Sequence, residues 1–219
     1  MIKLCHKEIV MKILCYGDSN TWGYVPNVDG YSKDAIMQQY DEKDCWWYYL
    51  KRDNEVIIDG LCGRCIAHEN RWLKNRNAFQ TIRDDLKKYN ELDLIFIQLG
   101  TNDCKGEYQD SALDITKNLE KLISLIKTSS SADIVIISPS QIRENNKITK
   151  KYYIGAESKS ADLDYYYKLL AQKQHCGFIS GLDLEIGEDG EHLTLNGHNV
   201  LGQKVASHIQ KLNNNMSII

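Results

Sequence analysis

Three residues from the two ends of the chain could together activate a nucleophile. Ser19 follows an apolar run that ends at Gly17 and Asp18, whereas Asp189 and His192 lie three positions apart near the C-terminus. A serine hydroxyl needs a base to take its proton, and that base needs an acceptor for its other ring nitrogen. The residue types therefore predict a catalytic triad in which Ser19 is the nucleophile, His192 the base and Asp189 the orienting acid.

Negative charge that develops on an attacked carbonyl oxygen needs hydrogen-bond donors, and three positions offer them. The backbone N–H of Ser19 is one donor. The backbone N–H of Gly63 is a second, because glycine lets a ligand approach the main chain closely. The third is the side-chain amide of Asn102, which carries an NH₂ group that aspartate lacks. We therefore expect an oxyanion hole formed by Ser19, Gly63 and Asn102.

The elements that would position these groups alternate between strand and helix. Short apolar runs predict five strands, and apolar residues at helical spacing predict the helices. The predicted strands are 11–16, 55–59, 92–99, 133–138 and 177–181, and the predicted helices are 45–50, 78–89, 112–126, 162–174 and 197–212. Such alternation is typical of a parallel sheet covered on both faces. The expected fold class is α/β, a three-layer α/β/α sandwich with a five-stranded parallel sheet.

Three of the predicted strands end in glycine and small polar residues, at the edge where open parallel sheets bind their ligands. The three ends read GDSN at 17–20, GLCG at 60–63 and GTND at 100–103. Each of them alone is more typical of an ordinary turn from strand to helix. The Asp189-x-x-His192 pair changes this interpretation, because serine, base and acid can then meet at one edge of the sheet.

Four sequence blocks, taken in order, resemble those of the SGNH (GDSL-type) hydrolases: GDS at 17–19, Gly63, GTND at 100–103, and Asp189-x-x-His192. The resemblance extends to the arylesterase and acyl-transferring branch of that family through ILCYGDSNTWGYVP, DGLCGRC, IQLGTNDCK and DGEHLT. It covers nearly the whole chain from Met11. The first block usually continues with leucine, where this chain has Asn20. The resemblance implies a flavodoxin-like sheet, hydrolysis of carboxylic esters through an acyl-enzyme, and no metal.

The composition argues against several other classes of protein. The net charge is −3, from 27 basic and 30 acidic residues without a long run of either sign, which disfavours a nucleic-acid surface and docking to anionic membranes. No stretch approaches the roughly 20 apolar residues of a transmembrane helix, and charged residues interrupt the N-terminus, unlike a signal peptide. We expect a cytoplasmic protein in which residues 1–10 form an arm outside the fold and residues 11–219 form a single domain.

The cysteines offer the only hint of a metal or redox site. There are seven of them, which fits free thiols better than a disulfide framework. Cys62 and Cys65 have CxxC spacing, but a zinc site would normally need a second pair or nearby histidines, and His68 alone is weak support. We therefore interpret 62–65 as a turn and predict neither a metal nor another cofactor.

Residues around the predicted triad receive more specific expectations. Trp22 and Tyr24 directly follow the nucleophile, so we expect them to line the substrate pocket. The segment 142–160 is long for a loop between strand and helix, which favours a lid or a subunit contact. Asp18 and Asp103 are expected to hold their loops through hydrogen bonds to backbone amides. The remaining histidines that we interpret as surface or packing residues are His175, His198 and His208.

Three functions are compatible with the sequence. The first is an esterase or acyltransferase that handles short acyl groups through Ser19, with a small-molecule ester as its partner. The second uses the same site as a thioesterase or lysophospholipase and would differ only in pocket shape. The third is a non-catalytic flavodoxin-like binding module, which is disfavoured because it has no need of a serine, histidine, aspartate and asparagine together. The composition leaves a homo-oligomer open.

Overall fold

The computed structural model describes residues 10–27, 37–89 and 91–216 of the chain. The predicted N-terminal arm therefore lies outside the described residues, apart from Val10. The last three residues of the predicted domain, 217–219, also lie outside them.

The strands form one parallel sheet whose order reverses direction beside the first strand. They are β1 (Lys12–Gly17), β2 (Glu55–Gly60), β3 (Leu94–Gln98), β4 (Asp133–Ile137) and β5 (Gly177–Ile179). Their order in the sheet is β2-β1-β3-β4-β5, and every pairing is parallel. In doubly wound sheets a crevice forms outside the carboxyl ends of the strands at the point of reversal. Here that point lies between β1 and β3, where GDSN and GTND follow.

The helices of the described residues are α1 (Ser19–Trp22), α2 (Ala78–Lys87), α3 (Ala112–Ser129), α4 (Lys147–Tyr152), α5 (Ala156–Gln174) and α6 (Leu195–Met216). Short 3₁₀ turns add Glu42–Asp44, Trp46–Leu50, Asn102–Cys104 and Gly106–Tyr108. None of the helices in this part of the chain combines the length and the apolar character needed to cross a membrane.

Alternating side chains of the central strands build two separate cores, one on each face of the sheet. In β1, Leu14 and Tyr16 pack with residues of α2, α3 and α5. Ile13 and Cys15 point the other way and pack with α6 and the turn at Trp46–Leu50. Both faces are therefore covered, which confirms the predicted three-layer α/β/α sandwich with a five-stranded parallel sheet.

The segment 142–160 differs from the long loop that the sequence predicted. It contains α4, and α5 begins at Ala156 rather than at residue 162. The first turns of α5 carry few apolar residues, and Gly155 precedes them without a side-chain cap, so neither periodicity nor capping marks the start. The predicted helix at 45–50 is likewise wrong in type, because these bulky residues form a 3₁₀ turn that packs on α6.

Candidate active site

Ser19 is the first residue of α1 and lies directly beyond the carboxyl end of β1. It is 5% exposed. Asp18 precedes the helix, and its Oδ1 accepts a hydrogen bond from the Asn20 backbone N–H at 2.9 Å, which confirms the role predicted for Asp18. Burial raises the pKa of the Asp18 carboxyl to about 6, and the hydrogen bond from the Asn20 N–H offsets only part of this rise.

His192 joins Ser19 to Asp189 through two short hydrogen bonds. His192 Nε2 lies 2.8 Å from Ser19 Oγ, and His192 Nδ1 lies 2.8 Å from Asp189 Oδ2. An ionised carboxylate only accepts, so Nδ1 carries the proton and the lone pair of Nε2 faces the serine hydroxyl. The structure thus brings together the three residues that the sequence singled out, in the order in which a nucleophile, a base and an orienting acid would act.

Carboxylates around His192 outweigh the effect of its burial. Burial alone would lower the pKa of the imidazole, but the charge of Glu191, the hydrogen bond to Asp189 and the charges of Asp189 and Asp18 raise it above its ordinary value. The pKa of Asp189 is lowered in turn, because its hydrogen bonds and the charge of His192 prevail over burial. The site therefore favours an imidazole that gains a proton readily.

Asp189 is itself held in place by backbone amides. Its Oδ1 accepts hydrogen bonds from the N–H groups of Glu191 at 3.2 Å and His192 at 3.1 Å. Its Oδ2, which faces the imidazole, also accepts from the Asn27 N–H at 3.0 Å. Because these amides fix the carboxylate, the direction in which it presents Oδ2 to His192 is fixed as well.

Asn20 holds the loop that carries His192 close to the nucleophile. Its Nδ2 donates to the Glu191 carbonyl at 3.2 Å, and its Oδ1 accepts from the Leu193 N–H at 2.9 Å. A leucine at this position could make neither bond. Sequence reasoning noticed Asn20 only as a departure from the GDSL motif, because its partners lie 171 and 173 positions away.

The segment 142–160 supports the same loop from outside. The Arg143 N–H donates to the Gly190 carbonyl at 2.9 Å, and Asn146 Nδ2 donates to the Asp189 carbonyl at 2.7 Å. The Tyr153 hydroxyl donates to Glu191 Oε2. These contacts show what the segment touches within one chain, and the predicted lid or subunit contact stays a prediction.

Buried polar contacts fix the three strand ends relative to one another. Arg64, in the turn after β2, donates to the Gly17 carbonyl at the end of β1 at 2.9 Å. Asp103, after β3, accepts from the Ile66 N–H through both oxygens, at 2.9 and 3.1 Å, which confirms its predicted role in holding a loop. Burial is the main cause that raises the pKa of Asp103 to about 7.

Asn102 and Gly63, the other two residues of the predicted oxyanion hole, lie on either side of β1. Asn102 follows β3, and its Nδ2 donates to the Arg64 carbonyl in the turn after β2 at 3.2 Å. Gly63 lies in that turn with φ +78, and an added Cβ would come within 2.7 Å of Asn70 Nδ2, so the position needs glycine. Within the described chain, the N–H groups of Ser19 and Gly63 donate to no protein acceptor.

Aromatic side chains lie against His192 and in the loop between β2 and α2. The Tyr24 ring stacks on the His192 ring, with centroids 4.3 Å apart and planes at 28°, and the Trp22 ring lies 6.2 Å from that of Tyr24. Trp72, which sequence reasoning missed, is 50% exposed and meets the Tyr152 ring edge-on at 5.4 Å. No motif marks Trp72, since it lies in an irregular loop of the fold.

Two other parts of the molecule, the turn at Cys62 and a cavity at the opposite edge of the sheet, show fewer features of a catalytic site. Among the described residues, no group of three or more His, Cys, Asp or Glu side chains is arranged to hold a metal ion. Burial is the main cause that raises the pKa of the Cys62 thiol to about 12. A cavity of about 450 Å³ lies near the start of β3, at the opposite edge of the sheet, and its lining includes Ser129, Ser130 and Ser131 but no histidine.

Comparison with known families agrees with this geometry. The model of the GDSL-like Lipase/Acylhydrolase family matches residues 15–200. The chain belongs to this family. Membership confirms the predicted enzyme class, a carboxylic ester hydrolase of the SGNH type. Comparison with curated protein sequences gives no significant match.

Solved structures similar to this GDSL-like hydrolase cover nearly its whole length. An aryl esterase from M. smegmatis has 27% identity and a TM-score of 0.84, over 93% of this chain and 100% of that one. A carbohydrate acetylesterase family member from Sinorhizobium meliloti has 28% identity and a TM-score of 0.82, over 94% and 100%. The carbohydrate acetylesterase Est24 from the same organism, at 24% identity, a TM-score of 0.83 and 92% and 99% coverage, supports the fold alone. The family match and the similarity to the aryl esterase together confirm the predicted esterase branch.

Proposed function

We propose that this GDSL-like hydrolase cleaves short-chain carboxylic esters through an acyl-enzyme on Ser19. The observation that carries the proposal is the chain of hydrogen bonds from Ser19 Oγ through His192 to Asp189, with both distances at 2.8 Å. A preference for short acyl groups is supported by similarity to proteins described as an aryl esterase and as a carbohydrate acetylesterase family member. Trp22, Tyr24 and Trp72 would line the pocket for the acyl or alcohol part.

In the acylation step, His192 Nε2 takes the proton of Ser19 as Oγ attacks the ester carbonyl carbon. The carbonyl electron pair moves onto its oxygen. The resulting anion accepts hydrogen bonds from the Ser19 and Gly63 N–H groups and from Asn102 Nδ2. Asp189 stabilises the imidazolium that has formed. Collapse of the intermediate expels the alcohol oxygen, which takes the proton from His192.

Deacylation repeats these roles with water as the nucleophile. His192 removes a proton from water, the hydroxyl attacks the acyl carbon, and Ser19 leaves with the proton that His192 returns. An alcohol in place of water would transfer the acyl group instead of releasing it as an acid. Both outcomes use the same residues of the chain.

The direct test is Ser19→Ala with p-nitrophenyl acetate as substrate. We expect kcat/KM to fall by at least about 10⁴-fold, because removal of a triad nucleophile costs this much or more. Labelling of the wild type with a p-nitrophenyl phosphonate should give a stable adduct on Ser19 in mass spectrometry. Ser111→Ala is the matched control, since this exposed serine only caps α3. A Ser19→Ala enzyme that keeps more than a tenth of the wild-type rate would refute the proposal.

A further inference from the structure

Lys105 is a cation buried beside Asn102. It is 3% exposed, and its Nζ donates to Asn102 Oδ1 at 2.9 Å. Its other neighbours are the rings of Tyr153 and Trp72, whose centroids lie 5.6 and 5.9 Å from Nζ. Among the hydrogen bonds and ion pairs of the described residues, no carboxylate contacts it. Because burial of a cation without a counter-ion is costly, a purely structural role explains this lysine poorly.

Local geometry brings Lys105 to Asn102. The two residues are three positions apart, and the 3₁₀ turn Asn102–Cys104 ends where the Lys105 N–H donates to the Asn102 carbonyl. Residues i and i+3 of a 3₁₀ turn lie on the same side. The lysine side chain therefore runs along the Asn102 side chain instead of pointing to solvent.

Two partners of opposite polarity determine how the Asn102 amide is oriented. Oδ1 must face the Lys105 ammonium, which only donates, and Nδ2 must face the Arg64 carbonyl, which only accepts. In the reversed orientation both contacts would be repulsive. Nδ2 carries two hydrogens, and the contact with Arg64 occupies one of them. The second hydrogen is left for a ligand.

We propose that Lys105 is a positioning residue that keeps the Asn102 amide donating into the oxyanion hole. The inference rests on the proposed function, since it matters only if Asn102 Nδ2 stabilises the carbonyl oxygen in the transition state. A charge-assisted bond to Oδ1 is stronger than a neutral one. It also polarises the amide, so that the Nδ2 hydrogens become better donors. Loss of the ammonium therefore weakens a donor that Lys105 does not itself provide.

A double-mutant cycle on p-nitrophenyl acetate tests this role. Lys105→Met keeps the length of the side chain and removes the ammonium. We expect it to lower kcat by roughly 10- to 100-fold with KM within about twofold, a smaller loss than the roughly 10²–10³-fold expected when an oxyanion donor is removed outright. In an Asn102→Ala background the same substitution should change kcat by less than about twofold, because the group through which it acts is absent.

Lys159→Met is the matched control. Lys159 Nζ donates to the carbonyl of Cys104, the neighbour of Lys105, at 3.3 Å, and we expect its replacement to leave kcat within about twofold. Three results would overturn the proposal: a Lys105→Met enzyme with more than a third of the wild-type kcat, the same loss in both backgrounds, or a loss confined to KM. If Lys105→Met does not melt cooperatively, Lys105→Gln replaces it in the cycle; its amide can still donate to Asn102 Oδ1 but carries no charge, so we expect a smaller loss of kcat that again disappears in the Asn102→Ala background.

Phosphonate labelling separates the two proposals. If the wild type forms no adduct on Ser19, the proposed function fails, and the role of Lys105 fails with it. If the adduct forms and the cycle is additive, only the role of Lys105 is overturned.

Discussion

His192 and His198 lie six residues apart and are both buried, yet their surroundings are opposite. Three carboxylates raise the pKa of His192 in spite of its burial. At His198, burial is the main cause that lowers the pKa to about 4, and the charge of His192 adds to it. Burial by itself disfavours the protonated form of a histidine, as at His198. Nearby acids are needed before a buried histidine can take up a proton.

The contacts of His198 agree with a packing role. Its Nδ1 accepts a hydrogen bond from the Trp46 N–H at 3.3 Å, and the Tyr40 ring meets it edge-on at 5.4 Å. Its Nε2 has no hydrogen-bond partner in the described residues. Of the two interpretations that the sequence allowed for His198, a surface residue or a packing residue, these contacts confirm the packing residue. The residue nevertheless differs from His192 only in what folds around it.

The largest expected difference between the two histidines is in activity. His192→Ala should lower kcat/KM on p-nitrophenyl acetate by about 10⁴-fold or more, because the proton of Ser19 then has no acceptor. His198→Gln, whose amide oxygen can still accept from the Trp46 N–H, should keep kcat/KM within about fivefold. Steady-state kinetics of both variants check this. Similar losses in the two would remove the distinction between base and packing residue.

A second, smaller difference between the two histidines concerns how the free energy of unfolding depends on pH. The pKa of His198 is lowered in the folded state, so the unfolded chain binds the proton more tightly and stability falls as the pH decreases from about 6.5 towards about 4. Between pH 7 and pH 4.5 this should cost the wild type roughly 2 kcal/mol, at 1.36 kcal/mol per pKa unit. Urea unfolding of wild type and His198→Gln at both pH values measures it. The variant should lose correspondingly less, and an equal loss would contradict the assignment.

The smallest expected effect is a shift of the pH–rate profile. His192 must be neutral to act as a base, and its pKa is raised, so the acidic limb of kcat/KM in the wild type should lie above pH 6.5. Glu191→Gln removes the first of the charges that raise it, and the limb should move to lower pH. Glu188→Gln, an exposed acid on the same loop, should move it less. A larger shift in this control would refute the role assigned to Glu191.

The sequence predicted the fold well where a local pattern reports directly on structure. Short apolar runs closed by turn-forming residues located all five strands, since apolar patterning and turn formation are local properties. It failed at 142–160, where α5 begins behind Gly155 without a capping side chain. At Trp46–Leu50 the sequence predicts an α-helix where the structure has a 3₁₀ turn, because five consecutive bulky residues show no periodicity that separates the two.

The residues of the candidate site likewise fall into those that sequence patterns predicted and those that they missed. Residue types and their order predict that Ser19, Gly63, Asn102, Asp189 and His192 belong together, and the hydrogen bonds from Ser19 through His192 to Asp189 agree with this for three of the five. Sequence patterns did not predict the contacts of Asn20 and Trp72, because these contacts join segments that are far apart in the sequence.

The amino-acid sequence by itself determined which chemical groups stand at the ends of the strands and which family the chain belongs to. Only the tertiary structure decided which histidine faces carboxylates, which end of the Asn102 amide faces Lys105, and where Lys105 places its charge. Proton affinity and amide orientation depend on distances of a few ångströms and on exclusion of water. Those quantities arise only when segments as far apart as Ser19 and His192, 173 positions in sequence, pack against each other.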